Sequence, residues 1–132
     1  VSSMINTPET PSASSSLLQP AQHLTKAPQV VFKKKIHVTT TTIDQWAQEH
    51  NIDHVDFMWL DTQGSELSIL KSSPKILKTT RAILAEIEFI EAYKNQALFG
   101  EIKTWLESVG FTLIALNISS SQWAGDALFV RK

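Results

Sequence analysis

The sequence predicts an α/β fold with a mostly parallel sheet, because short apolar strand segments alternate with amphipathic helical segments. Segments 55–60 and 82–89 carry nearly continuous apolar runs, which are typical of strands buried on both faces. Segments 111–116 and 127–130 follow each other without a helix between them and favour antiparallel pairing. We therefore expect parallel strands that are closed by an antiparallel pair.

Length and composition restrict the class of protein. The 132 residues fit one domain, and a net charge of −1 argues against a basic nucleic-acid face or a polybasic membrane anchor. The absence of cysteine excludes disulfides and Cys-ligated metals. The apolar runs are too short to span a bilayer, and no signal-peptide pattern opens the chain. We expect a cytoplasmic protein without nucleic-acid or membrane partners, and the first residue, Val1, indicates a fragment.

A change in composition near residue 30 predicts two regions. Residues 1–29 contain thirteen Ser, Thr or Pro and only two charged residues, so they bury too little apolar surface to order themselves. The composition favours a disordered lead-in, and a loop that covers a substrate is the alternative. Residues 30–132 form the predicted α/β domain. Its first segment, 30–38, carries Lys33 to Lys35, which indicate a solvated strand edge.

Three segments predict helices. Thr42 and Gln45 fit a capping box, and Asn51 is a plausible left-handed stop for that helix. A short helix follows Ser65 and ends at Pro74. Residues 97–109 carry apolar side chains at helical spacing before Gly110. Tryptophans on these apolar stripes and strands are predicted to be core residues: Trp46, Trp59 and Trp105.

Polar residues follow the two buried strands, where ligands bind in open α/β sheets. Asp61 directly follows the first strand, and its carboxylate predicts a general base, a metal ligand or a cofactor contact, with a helix cap as the alternative. Glu66 also suits a helix N-terminus. Glu86 and Glu88 share one face at the end of the second strand, so that face must reach solvent, a site or a cation.

Other motifs are absent or weak. His50 and His54 have the spacing of helical metal ligands, but Asn51 interrupts them, and solvated histidines are the better interpretation. Trp123 lies among serines and is predicted to anchor a loop. The four glycines are scattered and form no phosphate-binding turn. The residues alone therefore predict half of a nucleotide-type α/β sheet.

The segment from Asp61 to Glu66, Asp-Thr-Gln-Gly-Ser-Glu, resembles the Asp-x-Gln/Glu-Gly-x-Glu signature of the FkbM-type methyltransferase family. Segments 36–44, 82–93 and 110–129 are similar to the family's flanking strands in the same order. The resemblance implies the C-terminal half of a Rossmann-like class I methyltransferase sheet. It also implies S-adenosyl-L-methionine as cofactor and the hydroxyl of a small molecule or glycan as methyl acceptor.

The resemblance implies roles for individual residues. Asp61 and Glu86 are the expected catalytic residues, and no metal ligand is assigned. The expected cofactor contacts are Gln63, Gly64 and Glu66, and the expected substrate contacts are Glu88 and Tyr93. The family's glycine-rich turn and its acidic ribose-binding residue have no counterpart in this sequence, so this chain alone is expected to be inactive.

A non-catalytic module that completes its sheet by association is the alternative function. The strand at 57–60 lacks its usual neighbour and has no lysine, proline or glycine to protect an edge. We expect this edge to pair either with residues 30–38 or with a second chain, and the three lysines favour the second chain. A strand followed by Gly-x-Gly upstream of Val1 would instead favour the enzyme.

Overall fold

The computed structural model of the protein describes residues 2–9 and 13–132. An antiparallel pair is formed by β1 (Ser2–Pro8) and β2 (Phe32–Thr39). The main sheet has the order β3-β4-β6-β5 and consists of β3 (Phe57–Leu60), β4 (Ala82–Glu88), β5 (Phe111–Ile118) and β6 (Ala124–Arg131). The helices in these ranges are α1 (His23–Lys26), α2 (Ile43–Glu49), α3 (Glu66–Lys71), α4 (Pro74–Thr79) and α5 (Phe99–Ser108).

The main sheet is mixed, so the expectation of a mostly parallel sheet was wrong. Only β3 and β4 run parallel, with Leu60 beside Ala85. The pairs β4–β6 and β6–β5 are antiparallel, which confirms the predicted closing pair. The chain leaves β5 by the short loop 119–123, and so short a connection cannot make the crossover that a parallel pair requires.

The helices follow their predicted signals with one exception. The Thr42 hydroxyl accepts a hydrogen bond from Gln45 N at 3.1 Å, and Asn51 has a φ of 56°, so the start and stop of α2 are confirmed. Pro74 does not simply end a helix, because it opens α4. The Asp44 carboxylate accepts from the backbone N–H groups of Lys75 and Ile76, each at 2.8 Å, and so supplies the cap of α4 from a distant helix.

The core lies on one face of the main sheet. Alternate residues of β3 and β4, including Met58, Leu60, Ile83 and Ala85, pack against the helices on that face. The fully buried residues Phe111, Phe129, Ile102 and Leu106 complete this core. Burial of one face agrees with the period-2 exposure pattern of β3.

The opposite face of the sheet is open. Phe57 is 51% exposed and Trp59 is 69% exposed, so the prediction that β3 is buried on both faces was wrong. Trp46 is also exposed, whereas Trp105 packs against the core as predicted. Trp59 lines a groove of about 370 Å³ on this face with Leu84, Leu116 and Leu128. In the described chain β3 pairs with β4 alone, which leaves its other edge without a strand.

The described part of residues 1–29 contains regular structure, whereas the composition favoured a disordered lead-in. β1 pairs with β2 from Ser2 opposite Thr39, and this pairing replaces the expected pairing of residues 30–38 with the edge of β3. Lys33 lies on the exposed side of β2 and pairs with Glu9 at 2.7 Å, in accord with the predicted solvated strand edge. None of the helices in the described ranges is long and apolar enough to cross a membrane.

Candidate active site

The two parallel strands bring Asp61 and Glu86 together at one edge of the sheet. Leu60 and Ala85 are partners in register, so the next residue on each strand meets the other. The amide nitrogen of Gln63 donates to Asp61 Oδ1 at 2.9 Å and to Glu86 Oε2 at 2.6 Å. Asp61 is exposed and Glu86 is half-buried. The structure therefore joins two carboxyl groups that the sequence places 25 residues apart.

A tight turn after β3 directs these side chains. Gln63 and Gly64 both have positive φ, 52° and 97°, and a glycine accommodates the second value without strain. Glu66 is 1% exposed, and its Oε1 accepts from Thr62 N at 2.8 Å and from the Thr62 hydroxyl at 2.9 Å. The buried Glu66 carboxylate thus stabilises the turn by hydrogen bonds. Its contact with a cofactor stays a prediction.

Three glutamates at this edge have raised pKa values. Burial, followed by the hydrogen bond and negative charge of Asp61, raises the pKa of Glu86 to about 8. Burial and the charge of Glu66 raise the pKa of Glu88 to about 7. Burial likewise raises the pKa of Glu66, and its hydrogen bonds oppose that change. At neutral pH the cluster therefore holds protons that exposed carboxylates would have lost.

Tyr93 connects the turn to the N-terminal part of the chain. Its side chain is 1% exposed, and its hydroxyl lies 2.9 Å from Gln63 Oε1 and 3.0 Å from the carbonyl oxygen of Ser14. One hydroxyl proton serves these two acceptors. Burial, reinforced by the charges of Glu88 and Glu86, raises the pKa of Tyr93, so the phenol stays protonated.

Residues 13–23 cross this edge of the sheet, and we refer to them as the strap. The Ser16 hydroxyl donates to the carbonyl oxygen of Gln63 at 2.7 Å, and Ala21 N donates to the carbonyl oxygen of Ala92 at 2.8 Å. The sequence favoured disorder here and gave a loop that covers a substrate as the alternative. These hydrogen bonds hold the strap against the site, and its role as a substrate cover stays a prediction. The bonds of Ser16 depend on turns distant in sequence, so no local motif marks them.

His23 is a residue near the site that the sequence analysis missed. It is 4% exposed and packs against Phe32, Tyr93 and Trp123, with ring centroids 5.2, 5.4 and 6.2 Å away. Burial lowers the pKa of His23, so its imidazole is neutral at pH 7. The Trp123 contact agrees with the predicted loop anchor. His50 and His54, which have the spacing of helical metal ligands, are exposed and lie away from this edge of the sheet.

Glu88 and a neighbouring groove complete the edge. Glu88 is 2% exposed, and its Oε2 has no hydrogen-bond partner among the described residues. The adjacent groove, about 560 Å³ in volume, is lined by Phe89, Ile118, Ser119, Ser120 and Gln122. β5 ends on the same side as β4, because Ile87 and Ile118 both pair with Gly125. The groove therefore opens at the same end of the sheet as the carboxyl groups.

Two glycines near this edge of the sheet, Gly64 and Gly125, are closely surrounded by protein atoms. A Cβ on Gly64 would lie 3.1 Å from Gln96 Cβ, and one on Gly125 would lie 2.3 Å from the Asn117 carbonyl oxygen. Protein atoms therefore fill the space that a ligand would need beside both glycines. Across residues 2–9 and 13–132, no group of three His, Cys, Asp or Glu side chains has the geometry to hold a metal ion.

Comparison with known proteins agrees with the motif at this edge. The model of the methyltransferase FkbM domain matches residues 4–113. The chain is similar to the 2-O-methyltransferase NoeI of Sinorhizobium fredii (strain NBRC 101917 / NGR234), with 33% identity over 102 residues, which are 77% of this chain and 41% of NoeI. The chain thus spans about two fifths of the length of this relative. No solved structure matches. The match over most of the chain, together with the Asp61–Glu66 signature, shows that the chain belongs to the FkbM methyltransferase family.

Proposed function

We propose that this chain contributes the acid–base edge of an S-adenosyl-L-methionine-dependent methyltransferase acting on a hydroxyl group of a small molecule or glycan. The observation that carries the proposal is the carboxyl pair of Asp61 and Glu86, bridged by Gln63 at the ends of two parallel strands. Family membership supports methyl transfer, and the name of the relative, a 2-O-methyltransferase, supports an oxygen acceptor.

An exposed carboxyl group beside a half-buried one suits this chemistry. S-adenosyl-L-methionine supplies an activated methyl group on a sulfonium cation. Asp61 is exposed and accepts the proton that the acceptor hydroxyl loses as its oxygen is methylated. Glu86, with a pKa of about 8, stays protonated at neutral pH and donates toward Asp61. The acidic edge also favours a cationic ligand over an anionic one.

The groove beside Glu88 suits the acceptor. Its exposed Phe89 offers an apolar face, and Ser119, Ser120 and Gln122 offer hydrogen-bonding groups at the rim. That combination fits a hydroxylated ring with an apolar side, which is the character of a sugar. Tyr93 keeps its hydroxyl beside Gln63, at the same end of the sheet.

The fragment relationship is part of the proposal. The chain matches 41% of NoeI, and protein atoms occupy the space beside Gly64 and Gly125. We therefore propose that the cofactor is held mainly by a partner half of the fold, while Gln63, Gly64 and Glu66 shape the wall near the reacting methyl group. In isolation the chain is expected to be inactive.

A chimera tests this function. The 102 matched residues of NoeI are replaced by those of this chain, and methyl transfer from labelled S-adenosyl-L-methionine to the acceptor of NoeI is measured. We expect measurable transfer by a chimera whose circular dichroism and melting curve match those of NoeI. A folded chimera that binds the cofactor but transfers no methyl group would contradict the proposal.

Association through β3 is the second candidate function, and the open strand edge favours it. Phe57 and Trp59 are half or more exposed beside an edge that no described strand covers. An unpaired apolar strand recruits another strand by main-chain hydrogen bonds. Light scattering after size-exclusion chromatography tests this: a monomer at all concentrations would exclude self-association.

A further inference from the structure

We propose that Gln63 is a positioning residue that keeps the carboxyl groups of Asp61 and Glu86 in one coupled pair. The side-chain amide supplies one N–H to each carboxyl group, at 2.9 Å and 2.6 Å. Its role as a clamp for the acid and the base of methyl transfer rests on the function proposed above. The coupling of the two carboxyl groups does not depend on that function.

The hydrogen-bonding capacity of the Gln63 amide is used within the protein. Both N–H groups point at carboxyl groups, and the carbonyl oxygen Oε1 accepts from the Tyr93 hydroxyl at 2.9 Å. This arrangement also determines which way the amide faces, since the reverse orientation would place its oxygen against Asp61 and Glu86. The side chain is therefore held at three points.

The backbone of Gln63 is held as well. Its carbonyl oxygen accepts from the Ser16 hydroxyl at 2.7 Å, and its φ of 52° places it in the left-handed region. A residue other than glycine or asparagine is uncommon there and persists where its surroundings determine the conformation. The strap and the turn thus fix the amide before any ligand arrives.

Without the amide, we expect the carboxyl groups of Asp61 and Glu86 to move apart. Asp61 is exposed and can rotate into water, whereas Glu86 is half-buried on a strand. Once Glu86 loses its proton, the two like charges repel, and Asp61 accordingly raises the pKa of Glu86 through its charge and its hydrogen bond. The amide opposes this repulsion by bonding both groups at once. Other titratable groups near Glu86 are Glu66, Glu88 and Tyr93, and Asp126 is its partner in register.

A double-mutant cycle measures the coupling in the chain itself, without cofactor or acceptor. Carboxyl groups are labelled with ¹³C, and the titration of Glu86 is followed by NMR with and without Asp61→Asn. In the wild-type background, we expect Asp61→Asn to lower the titration midpoint of Glu86 by about one pH unit, which is a tenfold change in affinity for the proton. With Gln63→Asn, we expect that shift to fall below about a third of a unit.

The choice of variants keeps the test decisive. Asparagine tolerates positive φ, so Gln63→Asn should preserve the turn, while its shorter side chain cannot reach both carboxyl groups. Gln63→Met removes the amide at similar length and should give the same loss of coupling. Gln45→Met is the matched control, because Gln45 also donates to a glutamate, Glu49 at 3.0 Å, on an exposed helix. In the Gln45→Met background, Asp61→Asn should shift the titration midpoint of Glu86 by the same amount as in wild type.

Two results would overturn the inference. The first is an equal effect of Asp61→Asn in the wild-type and both Gln63 backgrounds, measured on folded proteins with dispersed amide spectra. The second is the absence of any effect of Asp61→Asn in wild type. Failure of methyl transfer in the NoeI chimera, with the coupling intact, would refute the proposed function and leave the positioning role standing.

Discussion

Glu88 allows a sharp prediction about stability and pH. Its side chain is 2% exposed, and burial with the nearby charge of Glu66 raises its pKa to about 7, from the ordinary value of 4.5. Between these two pH values the folded protein keeps the proton and the unfolded chain loses it. The stabilisation is therefore complete below pH 4.5 and is lost as the pH rises through 7.

The magnitude follows from the same values. Each pH unit in that window lowers the free energy of unfolding by about 1.4 kcal/mol through this one group. From pH 5 to pH 8 the loss amounts to about 2–3 kcal/mol. Glu88→Gln keeps the shape of the neutral acid and removes the titration. Glu86 contributes in the same direction, because its pKa is raised to about 8, and it remains in both proteins.

Urea denaturation followed by tryptophan fluorescence at pH 5, 6, 7 and 8 measures this difference. We expect the stability of Glu88→Gln relative to wild type to rise by about 2–3 kcal/mol from pH 5 to pH 8. Glu107→Gln is the control, since Glu107 lies on an exposed helix face beside Lys103, and its curve should run parallel to wild type. If the free energy of unfolding of Glu88→Gln changed with pH in the same way as that of wild type, the reasoning would be refuted.

Three further predictions follow from the glycines and the open edge. Isothermal titration of this chain with micromolar S-adenosyl-L-methionine should show no saturable binding, because protein atoms crowd both Gly64 and Gly125, and saturation would contradict this. Gly64→Ala should lower the free energy of unfolding by about 1–3 kcal/mol through its positive φ, whereas Gly100→Ala, with no atom within 4 Å, should not lower it. Trp59→Lys should abolish concentration-dependent association in light scattering, and Ile114→Lys, on β5 away from that edge, should leave it unchanged.

The carboxylate edge was predictable because it depends on a local rule. Side chains that follow adjacent parallel strands meet at one edge, so Asp61 and Glu86 could be placed near each other from their positions alone. The bridge by Gln63 was not predictable, because it depends on two carboxyl groups 25 residues apart. It also depends on a positive φ at Gln63, which a glutamine in the sequence does not indicate.

The errors have a common physical cause, which is the dependence of burial on distant segments. The apolar run at 57–60 has the composition of a central strand, but Phe57 and Trp59 are exposed because no described element covers that face. Helix α4 depends on the Asp44 carboxylate from another helix rather than on a local cap. The Ser16 bond to Gln63 spans 47 residues, a separation over which composition carries no signal.

The most direct test of the central claim is a comparison of two identical substitutions at opposite ends of β3. In the NoeI chimera, Asp61→Asn should reduce methyl transfer by about a hundredfold or more, because it removes the base and keeps its shape. Asp56→Asn, an exposed residue paired with His54 at the other end of the strand, should leave the rate within about threefold of the chimera. Equal rates for both variants would show that Asp61 does not handle the proton.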